Sequence, residues 1–245
     1  MNRQSCRQLA LVVAIALSAV PAAAIVLGQF DNFQSGTLQN WTGGSNPSNQ
    51  PSGGPDGAYD RYLRITSGGV SSNLGVFNSA QWAGSYGAAG VTRVNIDLDN
   101  FGPDPVSLRI MIATPGCNGP PLTCTAWTST NATVLPAGVG WVRVEFSLAE
   151  PDLTRVLGTD SYATSIANVD KLTLRHDDGA PSPPGTQILV NAVLGIDNVT
   201  ALPEPPRDDA LAMVGALALA VRIAARREFP GVDRGPARKI DSAEL

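Results

Sequence analysis

Apolar and polar residues alternate with a period of two in several short runs along this chain. Val94, Ile96 and Leu98 alternate with Asn95, Asp97 and Asp99. Leu108, Ile110 and Ile112 alternate with Arg109 and Met111, and Val142, Val144, Phe146 and Leu148 with Arg143, Glu145 and Ser147. Leu172 and Leu174 alternate with Lys171, Thr173 and Arg175. A period of two with one apolar face is the signature of a strand packed on one side. The run from Ile188 to Ala201 reads as a closing strand, and the prolines at 203, 205 and 206 forbid its continuation. No long stretch has helical periodicity, and Gly, Pro and Asn punctuate the runs. The pattern predicts an all-β, antiparallel β-sandwich over residues 25–201.

Four loops are long for such a fold: residues 42–59, 81–90, 114–127 and 176–186. Long loops on a rigid scaffold are where binding usually resides.

The two ends read differently. Arg3 and Arg7 precede an apolar run over residues 9–20, followed by Pro21 and the small residues Ala22 to Ala24. That order predicts a signal peptide over residues 1–24, too short in its apolar part to span a bilayer. Export places Cys117 and Cys124 in an oxidising space once Cys6 is removed, so they are expected to form a disulfide. After a Pro-rich, acidic linker at 202–209, residues 210–227 form an apolar run ending in Arg226 and Arg227. As a helix it is a marginal membrane span with a basic stop. Residues 228–245 read as a polar, disordered extension.

This C-terminal order resembles the PEP-CTERM sorting signal of exported bacterial proteins: Pro203-Glu204-Pro205, an apolar helix, then Arg226-Arg227. The resemblance implies a cell-surface or extracellular-matrix location, anchoring to the membrane through the C-terminal helix, and processing by an exosortase-like membrane enzyme in a bacterium that makes exopolysaccharide.

Within residues 25–201, Asp31-Asn32-Phe33-Gln34-Ser35-Gly36 opens the domain and Ile196-Asp197-Asn198-Val199 closes it. Together they resemble the first and last strands of galactose-binding-like and carbohydrate-binding-module jelly rolls. That resemblance implies a structural calcium where the terminal strands meet, with Asp31 and Asp197 as carboxylate ligands. Gln34 stands where the family commonly has an acid.

Little in the chain points to catalysis. His176 is the sole histidine, and Glu145 and Glu150 are the only glutamates of the domain. No zinc spacing, phosphate loop or dinucleotide fingerprint is present. Asp177 and Asp178 read as a solvated acidic turn, or as the acids of a hydrolase. Acidic residues outnumber basic ones in the domain, which disfavours nucleic acid. Binding of an extracellular polysaccharide is the leading expectation, because sugar faces stack on exposed rings. Trp82 and Tyr86 lie among small polar residues, Trp127 follows the cysteine loop, and Tyr59-Asp60-Arg61-Tyr62 offers rings, carboxylate and guanidinium together. Trp41 and Trp141 adjoin strands and read as sandwich residues. A structural surface protein without a specific ligand is the alternative.

Overall fold

The computed structural model describes residues 24–68 and 73–205. The expected signal peptide but for Ala24, the apolar run with Arg226 and Arg227, and the polar extension lie outside the described residues. Pro203, Glu204 and Pro205 are described and exposed. The carbonyl of Pro203 accepts a hydrogen bond from Arg93 Nε at 2.8 Å.

The strands run β1 (Phe30–Asp31), β2 (Ser48–Gln50), β3 (Tyr62–Gly68), β4 (Gly75–Asn78), β5 (Arg93–Pro103) and β6 (Val106–Ala113). They continue with β7 (Ala126–Ser129), β8 (Thr133–Leu135), β9 (Val142–Ser147), β10 (Leu153–Leu157), β11 (Lys171–His176) and β12 (Asn191–Leu202). Two short helices, α1 (Tyr86–Ala89) and α2 (Tyr162–Ile166), interrupt the loops. Their N-caps are Ser85 and Ser161, whose hydroxyls accept from the backbone N–H three residues on.

All described pairings are antiparallel. The first sheet has the order β2-β3-β12-β5-β9, with β1 beside β12, and the second β10-β7-β6-β11-β4, with β8 beside β6. The four alternating runs are β5, β6, β9 and β11. Their apolar faces meet in one core that includes Leu63, Ile96, Leu98 and Ile196 from the first sheet and Ile110 and Leu174 from the second. The two sheets therefore pack as a β-sandwich.

The terminal strands are neighbours. Phe30 lies opposite Thr200 and Asp31 opposite Val199. The register of β12 against β5 shifts between Asp197 and Thr200, and Asn198 there has φ +50°. This bulge ends the pairing with β3 and opens the same edge of β12 to β1.

Cys117 and Cys124 are disulfide-bonded, with Cα atoms 5.2 Å apart. They pack with Met111, Ala113 and Ala126 in a small second cluster on the outer face of the second sheet.

The end of the sandwich is closed around Asp31. Its carboxylate is buried, and Oδ2 accepts from Trp82 Nε1 at 2.6 Å, Trp41 Nε1 at 2.7 Å and Gln81 Nε2 at 3.1 Å. Oδ1 accepts from Gln29 Nε2 at 3.2 Å. No cation neutralises the carboxylate through these bonds; N–H donors alone satisfy it. Replacing Asp31 by Ala leaves two buried indole N–H groups without an acceptor, at a cost of about 3 kcal/mol or more. Chemical denaturation should show Asp31→Ala unfolding at markedly lower denaturant. An unchanged midpoint would show that these bonds contribute nothing net.

Candidate functional site

The five rings nominated by the sequence do not form one platform. Trp82 is 0 % exposed and packs on Trp41 with centroids 6.1 Å apart. Tyr86 is also fully buried, and its hydroxyl donates to the Trp82 carbonyl at 2.9 Å. Neither can stack on a sugar. The small residues around Trp82 are there for close backbone approach: Gly84 and Val169 exchange both backbone hydrogen bonds, and Ile25 N–H donates to Ala83 O. A side chain at Gly84 would meet Ala24 Cβ at 3.2 Å and Ile25 N at 3.3 Å. Tyr62 is 8 % exposed and packs with Phe101 and Trp141 on the outer face of the first sheet. Trp127, on β7 between β10 and β6, is half-buried and packs on the core and Tyr162, with Nε1 donating to Ser165 Oγ at 3.1 Å. Tyr59 stands 96 % exposed in its loop.

The acidic turn is also rearranged. Asp177 is buried, not solvated. It lies 2.7 Å from Arg175 Nη2 and 3.7 Å from Arg109 Nε. The hydroxyl and N–H of Ser182 donate to it as well. A carboxylate so enclosed is shut off from the solvent that a hydrolytic acid works in. Asp178 is exposed, and the Ser107 hydroxyl beside it holds its carboxyl below the ordinary range, the opposite of what a general acid requires. His176 ends β11 as a buried residue. Burial pushes its imidazole below the usual range, and Nδ1 accepts from Ser107 N–H at 3.0 Å.

What the fold does assemble is a cleft on the outer face of the second sheet. Residues of β6 and β11 that point away from the core are buried nonetheless. Loops cover them: Arg109 donates to the carbonyls of Ser129, Thr130, Asp177 and Gly179, and Lys171 Nζ donates to Cys117 O at 2.8 Å and Asn118 Oδ1 at 3.0 Å. Between the covering loops and β4 a cavity of about 410 Å³ remains, lined among others by Gly43, Asn73, Phe77, Thr173, Arg175 and Gln187. Gly43 is required there. A Cβ would come within 2.7 Å of Gly75 O, where Thr42 and Phe77 form a backbone bridge.

Two polar atoms of the wall residues are buried and unpartnered, Thr173 Oγ1 and Arg175 Nε. Buried polar groups are ordinarily paired, so each such atom needs a reason. Phe77 lies directly across from Thr173 on the neighbouring strand, with the Lys171 ammonium 5.0 Å from its ring centroid. The amides of Asn73 and Gln187 hydrogen-bond to each other at 3.0 Å on the rim. Thr173 and Arg175 were legible as the outward positions of the β11 alternation. Phe77 was not, because β4 is too short to show a period.

Solved structures superpose on parts of the chain. The solution structure of CtCBM11 superposes with a TM-score of 0.49 at 16 % identity, covering 74 % of this chain and 98 % of that one. An exo-beta-agarase superposes with a TM-score of 0.48 at 13 % identity, over 74 % of this chain and 25 % of the other. The CBM22-2 xylan-binding domain of Paenibacillus barcinonensis Xyn10C gives 0.41 at 13 % identity, over 71 % and 98 %. No protein-family model matches the chain, and no curated protein sequence does.

The expected calcium ligands separate. Asp31 is excluded, because the indole and amide N–H groups already fill its carboxylate and would repel a cation. Asp197 is buried, with Oδ1 accepting from Asn198 N–H at 2.8 Å and Oδ2 unpartnered. Burial, aided by Asp60, Asp97 and Asp56, pushes its carboxyl up to about 8. Gln34, in the position of the missing acid, turns its amide N–H to Asp60 and Arg61 O. Among the described residues no three His, Cys, Asp or Glu side chains converge on a metal position. Calcium takes six to eight oxygens, and neither the saturated Asp31 nor the buried Asp197, which keeps its proton, fits that requirement.

The unfolded carboxyl of Asp197 ionises near pH 4 and the folded one near pH 8. Between those values the folded state holds the extra proton, so the Asp197 contribution is greatest below about pH 4 and is lost as pH rises to 8. Asp197→Asn should flatten this decline and raise the melting temperature at pH 8 in chelator. Millimolar calcium should move neither the wild type nor Asp197→Asn. A wild-type rise over chelator that Asp197→Asn lacks would restore calcium to this position.

Proposed function

We propose that this domain is a non-catalytic module that binds extracellular polysaccharide in the cleft between β4, β11 and their covering loops. The observation that carries the reading is the cavity itself, which presents the Phe77 ring between Thr173 and the Asn73 and Gln187 amides. A sugar hydroxyl donates and accepts at once, so it can serve either end of a side-chain amide. The ring offers its face to the C–H side of a pyranose. The Asn73 and Gln187 amides extend the polar rim.

A hydrolytic role has no support in the cleft, whose lining includes no carboxylate among the described residues. The exported, surface-anchored part of the proposal rests on the sequence of the two ends. The signal pattern, Pro203-Glu204-Pro205 and Arg226-Arg227 support delivery to the envelope by an exosortase-type system, with the sandwich facing outward.

A glycan array with the mature chain tests the ligand class. Thr173→Val and Phe77→Ala should each weaken retention about five-fold to a hundred-fold, by analogy with base stacking and its loss. Trp127→Ala should leave retention unchanged. Full retention by both cleft variants would remove the cleft from the proposal, and retention of no glycan at millimolar concentration would favour a structural surface protein. Removing residues 206–245, which spares β12, should shift the protein from the cell fraction to the medium. Unchanged fractionation would rule out the anchor.

A further inference from the structure

The opposite face of the sandwich carries a second pocket, built by the terminal strands. Phe30 of β1, Thr200 of β12 and Asn95 of β5 stand in register, each directly across from the next. Three adjacent strands at their usual spacing set these side chains across about 10 Å. Asp31 points inward to the indoles, so Phe30, one residue earlier, points outward and is 48 % exposed. A cavity of about 350 Å³ lies on this row, completed by Asp56, Arg143 and Asn198.

The polar groups there are pre-set. Arg143 donates from Nε to Asp97 Oδ1 and from Nη2 to Asp97 Oδ2, both at 2.8 Å. The same side chain is 63 % exposed, so the fork is fixed at one end and presented to solvent at the other. The bulge puts Asn198 at positive φ, and its Nδ2 donates to Asp97 Oδ2 at 2.9 Å. Asn95 Oδ1 is buried and has no partner. Nothing in the packing of the sandwich uses that acceptor.

We infer that this row is a second saccharide site, taking a neutral pyranose unit on the face opposite the cleft. The sugar ring lies on Phe30, a sugar oxygen accepts from Asn95 Nδ2, and the free N–H groups of Arg143 meet neighbouring sugar oxygens. Charge selects a neutral sugar. Asp97 cancels the arginine, and Asp56 at the rim leaves the pocket slightly negative, which repels uronates and sulfates. Two sites on opposite faces make a single domain bivalent, so one molecule can bridge two polysaccharide chains. The inference does not rest on the cleft, and the cleft can fail without it.

The test uses the mature full-length chain carrying Phe77→Ala and Thr173→Val, with xylohexaose, cellohexaose and agarohexaose titrated by calorimetry. Residual one-to-one binding of at least one probe is expected in this background. Adding Phe30→Ala should weaken it by about tenfold or more, and adding Asn95→Ala should weaken it as well. Thermal melting checks that each variant is folded. Asn95→Ala keeps the test decisive if loss of Phe30 disturbs β1. Absence of residual binding to all three probes, or residual binding that neither substitution alters, overturns the second site. The cleft itself is scored separately, by the step from wild type to the Phe77→Ala, Thr173→Val background.

Discussion

A buried carboxylate without a counter-cation organises this sandwich. Asp31 takes N–H donors from Gln29 and Trp41 nearby in the chain and from Gln81 and Trp82 some fifty residues on. A charge in the interior is tolerated only when its lone pairs are filled, and four donors accomplish that. The consequences reach both faces. Because Asp31 faces inward, Phe30 faces outward and supplies the ring of the pocket on the first sheet. Gln81, held by Asp31, also donates to the carbonyl of Gln39, which Asn78 of β4 reaches as well. That grip seats the segment leading to Thr42 and Gly43 against β4, and so forms one wall of the cleft on the second sheet.

The two sheets treat their outer faces differently. On the first, an aromatic group of Tyr62, Phe101 and Trp141 lies over Gly195, where any side chain would meet Trp141 at 2.7 Å. On the second, loops fold back over β6 and β11 and bury Arg109, Lys171 and Arg175. Burying guanidiniums is costly unless each N–H finds an acceptor. Here backbone carbonyls and Asp177 supply most of them. Arg175 Nε is the exception, and it falls in the wall of the cavity. The covering loops thus do two things at once. They satisfy the cations and leave a walled space beside β4.

The alternation in β5, β6, β9 and β11 was enough to name the fold class, because a strand buried on one side writes its period directly into the sequence. The disulfide was legible for a similar reason: two cysteines a few residues apart behind a sequence that reads as an export signal have few other uses. The pairing of the terminal strands was legible only through a family resemblance. Composition around a residue misled where it was taken for exposure. Small residues beside Trp82 signalled two backbones crossing closely, and the glycine and alanines there make room for chain, not for solvent.

Sequence by itself determined which residues alternate, which cysteines bridge and which way each side chain of β11 points. It did not determine which outward positions stay open, because that depends on where distant loops come to rest. Asp177 and Asp178 are neighbours of one chemistry, yet one is sealed between two guanidiniums and the other faces water. Asp31 and Asp197 fill matching places in a resembling pattern, yet indoles saturate the first and burial leaves the second holding its proton. Only the tertiary structure decided these outcomes, since desolvation and hydrogen-bond supply are set by groups that the chain brings in from afar.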